Sequence, residues 1–115
     1  MNATEVARPY YTAIDEDRYD DLTDLLATEF VHERPDRTLD GRETFVAFMR
    51  EERPRTDTTH EIDGVYADET GDDTSESAVA VRGRLFGEAD GLLFGFVDVH
   101  TVDGSSIARI HTYTD

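Results

Sequence analysis

Apolar residues in the first half of the chain recur at the three- and four-residue spacing of amphipathic helices. This spacing predicts a first helix whose buried face holds Val6, Tyr10, Ala13 and Ile14. It also predicts a second, shorter helix whose apolar side holds Leu22, Leu25 and Leu26. Phe30-Val31 then begins a short extended segment, and residues 34–37 (Arg-Pro-Asp-Arg) are typical of a loop.

A third helix is indicated both by its apolar stripe and by its ends. Asp40 is a candidate N-cap, with Glu43 three residues later as its capping-box partner. The apolar stripe of this helix is formed by Phe45, Phe48 and Met49. Pro54 would end the helix, because proline lacks the amide hydrogen that a helix interior uses.

The second half of the chain alternates between apolar and polar residues with the period of two that marks half-buried strands. Strands are predicted over residues 60–67, 78–86, 92–102 and 107–113. The polar segment 68–76 is a predicted hairpin loop, and Asp103-Gly104 is a tight-turn signal. Helices followed by an antiparallel sheet indicate a single α+β domain over residues 1–115.

Charge changes this picture most. The chain has 27 acidic residues against 11 basic ones, all of them Arg, for a net charge of −16. Such a surface repels itself in dilute buffer, whereas at molar salt the screening length falls to about 3 Å. Because the acidic residues are spread along the chain rather than run together, they indicate a halophilic protein of a high-salt cytoplasm rather than an acidic tail.

Several classes of function are disfavoured by composition. The acidic surface argues against nucleic acid as a partner, since phosphate binding needs a basic footprint. There is no long apolar run and no signal-peptide pattern, so we expect a cytoplasmic protein without a membrane partner. There are no cysteines, and histidines at positions 32, 60, 100 and 111 match no metal-binding spacing. We therefore predict neither metal nor cofactor.

Three stretches carry a resemblance to a known group of proteins. They are YYTAID at residues 10–15 followed by YDDL at 19–22, FVHERP at 30–35 followed by LDGRE at 39–43, and FVDVH at 96–100 followed by IARI at 107–110 and Tyr113. Together they resemble the SnoaL-like and ketosteroid-isomerase-like proteins of the nuclear transport factor 2-like superfamily. The resemblance implies a cystatin-like α+β roll, in which a cone-shaped, curved, mostly antiparallel (mixed) sheet wraps around the three helices and encloses a pocket.

The same resemblance implies where the pocket holds its chemistry. Asp98 falls where the family places its oxyanion-hole acid, and its apolar neighbours should push it toward the neutral form. Tyr10 matches the family's oxyanion-hole tyrosine, with Tyr11 as the alternative. The general base corresponds to His32 or Glu33, of which only one can face inward, because strand residues alternate. A structural role as a core tyrosine or a surface ion pair is the ordinary alternative for each.

The orientation of the last strand depends on the turn before it. A three-residue turn would place Ala108, Ile110 and Thr112 on the side of Asp98, and the Gly at position 104 favours this with a bulge. A two- or four-residue turn would place the alternate set there instead: Arg109, His111 and Tyr113. The remaining predicted lining of the pocket consists of Phe45, Phe48, Met49, His60, Val81, Leu85, Phe96, His100 and Ile110.

These residues support three hypotheses about function. The first is an acid–base enzyme, an isomerase or cyclase that acts through an enolate on a small apolar carbonyl compound. The second is a non-catalytic ligand-binding or dimerisation domain with the same pocket. The third is a dehydratase that uses His60 and His100. We also expect a homodimer through the outer sheet face, where Val97 and Val99 would otherwise be wet.

Overall fold

The computed structural model describes residues 3–52, 58–67 and 76–114. The helices are α1 (Ala3–Asp15), α2 (Tyr19–Leu25) and α3 (Arg42–Ala47), and α3 continues into a π-helical turn, Phe48–Glu52. The strands are β1 (Leu26–Glu33), β2 (Thr38–Asp40), β3 (Thr58–Ala67), β4 (Glu76–Gly87), β5 (Gly91–Asp103) and β6 (Ser106–Thr114). None of the described helices has the length and apolar character that a bilayer crossing requires. The α+β class predicted from the pattern is confirmed.

All six strands form one mixed sheet in the order β2-β1-β6-β5-β4-β3. Strands β1 and β6 pair in parallel, and every other neighbouring pair is antiparallel. Helix α1 packs against the concave face of this sheet and contacts β3, β4, β5 and β6. The sheet and helix therefore enclose a space between them, as the resemblance implied.

The core lies where α1, α3 and the concave face meet. Val6 and Ile14 of α1 are buried, as their helical spacing predicted, and they meet Phe30 of β1 and Phe45 of α3. On β5, Phe96, Asp98, His100 and Val102 face the core side, while the residues between them are less buried. Alternation along β5 therefore separates a cavity face from an outer face.

Two predicted helix ends were wrong. Asp40 does not cap α3, because it pairs with Val31 as the last residue of β2, and Gly41 occupies the N-cap without a side-chain bond. Leu26 does not end α2 but begins β1, because its backbone pairs with Ile107 of β6. In both cases strand pairing outcompetes a local helical signal. Pro54 and residues 68–75 lie outside the described residues, and Glu76 of the predicted loop instead begins β4.

The β5–β6 hairpin orients the last strand by a different route from the one predicted. Asp103 pairs with Ser106 across a two-residue turn, with Gly104 at a φ of 63°. Val102 then pairs with Ile107 but Thr101 with Arg109, so Ala108 is an extra, bulged residue. The bulge changes the alternation, and Thr112 pairs with Asp98. The predicted facing of Ile110 and Thr112 is confirmed, although the turn is one residue shorter than expected.

Candidate functional site

A cavity of about 250 Å³ lies between the concave sheet face, α1 and the π-helical turn. Its walls are largely apolar and come from Ile14, Met49, Leu85, Leu93, Phe94 and Phe96. Its polar groups come from Tyr10, His32, Arg34, Thr58, His60, Asp98 and Thr112. An apolar cavity with a few polar groups aimed inward is typical of small-molecule sites.

Asp98 is the only carboxylate among the described residues that line this cavity, and it is 6% exposed. The Tyr11 hydroxyl donates to its Oδ2 at 2.6 Å, and the Thr112 hydroxyl donates to its Oδ1 at 2.5 Å. Burial raises the pKa of Asp98, and the hydrogen bonds from Thr112 and Tyr11 partly offset that rise. The side chain is therefore a buried carboxyl held by neutral donors.

Two histidines extend this hydrogen-bond network on either side. His100 Nε2 lies 2.8 Å from the Tyr11 hydroxyl, and His32 Nε2 lies 2.7 Å from Thr112 Oγ1. A hydroxyl has one proton, so a hydroxyl that donates to Asp98 accepts its other hydrogen bond from an imidazole N–H. The proton of the neutral His32 ring and that of the neutral His100 ring are therefore assigned to Nε2. The two hydrogen-bonded pairs, His100–Tyr11 and His32–Thr112, both end on the carboxyl group of Asp98.

Burial keeps both rings of this network uncharged. It lowers the pKa of His32 to about 3 and that of His100 to about 4, and Arg34 adds to the effect at His32. The Nδ1 atoms of both rings are buried and have no partner among the described residues. An unprotonated Nδ1 leaves only a lone pair unsatisfied there, which fits the assignment of the proton to Nε2.

His60 carries a second, separate carboxylate pairing on the cavity wall. Its Nδ1 lies 2.7 Å from Asp15 Oδ1, and its backbone N–H donates to Asp15 Oδ2 at 3.0 Å. The ring also meets Phe96 edge to face, with centroids 5.6 Å apart. Asp15 therefore fixes the ring at Nδ1 and leaves Nε2 for a molecule in the cavity.

The predicted catalytic residues are divided between the two faces of the sheet. Asp98, Tyr10 and His32 line the cavity. Glu33 does not, because it follows His32 on a strand and so points to the outer face, where it pairs with Arg109 and with His111 at 3.0 Å. Of these two alternatives, His32 is therefore the residue whose side chain faces the cavity. The hydroxyl bonded to Asp98 belongs to Tyr11, the alternative to Tyr10.

The residues predicted to line the pocket are divided between the cavity surface and the core. Met49, His60, Leu85 and Phe96 line the cavity. The other predicted members are buried in the packed core beside it rather than at its surface: Phe45, Phe48, Val81, His100 and Ile110. Alternation shows which strand residues share a face, but it contains no information on which of them reach the cavity surface and which are packed in the core.

Three residues of the site were not predicted as functional, Thr112, Asp15 and Arg34, and Tyr11 was predicted only as the alternative to Tyr10. Tyr11 and Asp15 are four residues apart on α1, so both lie on one helical face toward the cavity. This spacing was a usable signal, but Asp15 was considered only as part of the stretch at residues 10–15 that carries the resemblance. Thr112 was placed opposite Asp98 without a role, and Arg34 was interpreted only as part of a loop.

A family model described as a SnoaL-like domain matches residues 7–110. No curated protein sequence is significantly similar to the chain. The similarity to solved structures is extensive, although sequence identities are low.

Three solved structures illustrate it. A nuclear transport factor 2-like protein of unknown function from Cytophaga hutchinsonii superposes with a TM-score of 0.80 at 10% identity, covering 100% of this chain and 91% of that one. A protein provisionally described as a polyketide cyclase from Sinorhizobium meliloti gives 0.77 at 15% identity, covering 95% and 94%. One provisionally described as a ketosteroid isomerase from Kribbella flavida gives 0.73 at 20% identity, covering 96% and 76%.

Proposed function

This chain belongs to the SnoaL-like domain family, and we propose that its cavity binds a small, mostly apolar carbonyl compound and moves a proton on it through an enolate. The observation that carries the proposal is the placement of Asp98 and His60 on one apolar cavity, each held by partners of its own. Isomerisation or cyclisation is the reaction class. Fold alone does not decide this, because one fold hosts many chemistries.

Asp98 is the proton acceptor in this proposal. Burial raises its pKa, and a carboxylate whose pKa lies nearer to neutrality is a stronger base than one in water. Tyr11 and Thr112 fix both of its oxygens, so the carboxylate has one orientation toward a bound molecule. The histidines behind these hydroxyls act as positioning residues, since His100 is fully buried and His32 Nε2 is occupied by Thr112.

His60 supplies the electrophilic side of the reaction. In its protonated form, the ring donates from Nε2 to the substrate carbonyl oxygen while Asp15 balances its charge at Nδ1. Asp98 removes a proton from the carbon next to that carbonyl, and the electron pair moves onto the oxygen. Where the enolate is conjugated with a second double bond, Asp98 then returns the proton to the far carbon of this dienolate, which gives the isomer. In a cyclisation, the enolate carbon instead attacks a second carbonyl carbon, and the oxygen of that carbonyl takes the proton from Asp98 as the ring closes.

Deuterium exchange tests this proposal without knowledge of the natural substrate. The protein is incubated in D₂O and molar potassium chloride with phenylacetone or 2-indanone, and loss of the α-proton signal is followed by proton NMR. General-base catalysis contributes about a hundredfold to ten-thousandfold. We expect exchange well above the buffer rate, and a loss of about a hundredfold or more in both Asp98→Asn and Asp98→Ala.

Glu33→Gln is the matched control, because it makes the same carboxylate-to-amide change on the outer face beside His32. It should exchange at the wild-type rate. If Asp98→Asn retains most of the exchange while Asp98→Ala loses it, Asp98 instead acts as the neutral donor that the family resemblance implied, because an amide keeps an N–H. If a ketone binds but exchanges only at the buffer rate, the catalytic proposal is wrong.

A non-catalytic binding domain is the second candidate, and one observation favours it. Both oxygens of Asp98 already accept hydrogen bonds within the protein, so the network is satisfied without a ligand. The exchange experiment separates the two candidates directly. The dehydratase hypothesis loses support, because His100 is fully buried behind Tyr11 and only His60 of the proposed pair lines the cavity.

A further inference from the structure

The mouth of the cavity carries a cation that the proposed chemistry does not use. Arg34 follows β1, two residues after His32, and its side chain lines the cavity while remaining 28% exposed. Its backbone N–H donates to the Arg37 carbonyl at 2.8 Å, which closes the turn that holds it. Its guanidinium lies over the Phe48 ring, 5.5 Å from the centroid. The Arg34 side chain is therefore fixed between solvent and the cavity.

The charge of Arg34 is only partly balanced. Its Nε lies 3.4 Å from Asp36 Oδ1, but the other oxygen of Asp36 lies 3.5 Å from Arg37 Nε. Two guanidinium groups thus share one carboxylate that is 57% exposed. The terminal nitrogens of Arg34 have no hydrogen-bond partner among the described residues. A planar guanidinium with free terminal donors matches the geometry of a carboxylate.

The distribution of polar groups around the cavity sets the shape of a ligand. Asp98 and Thr112 pair in the middle of β5 and β6, with His60 on β3 across the cavity. Arg34 lies beyond the end of β1, where the chain leaves the sheet. Phe94 and Leu93, near the start of β5, line the space as well. A fitting molecule thus has an apolar body, a carbonyl oxygen toward His60 with the neighbouring carbon toward Asp98, and an anionic end toward Arg34.

We infer that the ligand of this cavity is a small apolar carboxylic acid, whose carboxylate pairs with Arg34 at the cavity mouth. This inference rests on the proposed function, since it concerns the same cavity. At about 30 Å³ per water, the space equals about eight waters, which suits a substituted benzene or a short branched chain. In a chain of net charge −16, a cation at the cavity entrance also offsets the repulsion that an anionic ligand meets.

A matched pair of probes tests the inference. Binding of 3-phenylpropanoate and of 3-phenylpropan-1-ol is measured by calorimetry in molar potassium chloride. The two probes share their apolar part and differ mainly in charge. We expect the acid to bind the wild-type protein about tenfold more tightly, because a charge-assisted hydrogen bond is stronger than a neutral one. Arg34→Gln should remove this preference and leave the affinity for the alcohol unchanged.

Arg37→Gln is the control, because Arg37 shares Asp36 and Phe48 with Arg34 but does not line the cavity. It should keep the preference for the acid. Equal affinity for acid and alcohol on the wild-type protein, or a preference that survives in Arg34→Gln, would overturn the inference and leave the proposed function intact. If neither probe binds, both the inference and the proposed apolar-ligand cavity are wrong. The wild-type comparison needs no variant, so a poorly folded Arg34→Gln does not prevent the test.

Discussion

At the scale of single residues, the pairing of side chains around Asp98 was only partly readable from the sequence. Alternation grouped Asp98 with Phe94, Phe96 and His100, but both sides of this strand have apolar members, so the cavity face was assigned to the Asp98 side by the family resemblance. Tyr10 and Tyr11 could not be separated, because adjacent helical residues both fall within a wide apolar arc and both are 3% exposed. Which hydroxyl reaches Asp98 depends on the rotation of α1 against the sheet, which is a property of tertiary packing.

Two buried histidines make stability depend on pH. The pKa of His32 is lowered to about 3 and that of His100 to about 4, against about 6.5 when unfolded. Between these values the unfolded chain binds more protons than the native protein. The contribution of the two histidines to stability is therefore fully present above about pH 6.5 and is lost as the pH falls. Asp98 acts in the opposite sense, because its pKa is raised. Because two histidines act against one carboxyl group, we expect the free energy of unfolding to fall by about 2–4 kcal/mol between pH 7 and pH 5.

Urea unfolding at the two pH values, in molar potassium chloride, measures this loss. His100→Gln should reduce the pH dependence by about half, because an amide can bond Tyr11 but does not titrate in this range. An unfolding free energy that stays constant from pH 7 to 5 would show that the rings are not buried as neutral bases.

At the scale of elements, periodicity predicted the three helices and the four strands of the second half of the chain, but it missed β2 and most of β1 and did not show where each element ends. The ends at Leu26 and Asp40 are decided by pairing with strands distant in sequence, and a local pattern contains no information on such partners. The bulge at Ala108 is similar. The Gly signal predicted a bulged hairpin, yet the position of the extra residue follows from how β6 must meet both β1 and β5.

The β4–β5 pair contains a glycine that the cavity wall requires. Gly83 pairs with Phe96, and a Cβ added there would lie 2.7 Å from the Phe96 ring and 2.6 Å from the Glu61 carbonyl oxygen. Phe96 in turn stacks on Tyr11, with centroids 5.8 Å apart. Gly83→Ala should therefore destabilise the protein by about 1–3 kcal/mol, the usual result of overpacking.

A double-mutant cycle isolates the part of this destabilisation that comes from contact with the Phe96 ring. In a Phe96→Leu background, Gly83→Ala should cost less, because the shorter side chain leaves part of the space that a Cβ needs. Unfolding free energies of the four proteins are compared in the same buffer. An equal cost in both backgrounds would assign the glycine requirement to the Glu61 carbonyl alone.

At the scale of the whole molecule, the net charge bears on stability, and the outer face of the sheet bears on association between copies of the chain. The net charge of −16 opposes folding by self-repulsion, which salt screens. On the outer face, Tyr66 and Tyr113 are 56% and 53% exposed. Adaptation to high salt and homodimerisation through this face both stay predictions from the sequence.

Thermal unfolding tests both predictions when salt and protein concentration are varied independently. The midpoint should rise between dilute buffer and molar potassium chloride, because screening removes repulsion that only the compact state feels strongly. At fixed salt it should also rise with protein concentration, because a dimer is stabilised by mass action. A midpoint indifferent to salt would contradict the halophilic reading, and one indifferent to concentration would contradict the dimer.

The extra residue at Ala108 has a consequence for how such a cavity can diverge between relatives. Ile107 and Ile110 are both fully buried although three residues apart, which is possible only because the bulge shifts the alternation between them. Closing the bulge with every residue retained would pair His111 instead of Thr112 with Asp98. The distal half of β6 would then turn over, and His111 and Tyr113 would replace Ile110 and Thr112 on the cavity face. Whether this one bulge is kept or closed, rather than a series of point substitutions along β6, could then decide the chemistry of one wall while the backbone path is kept.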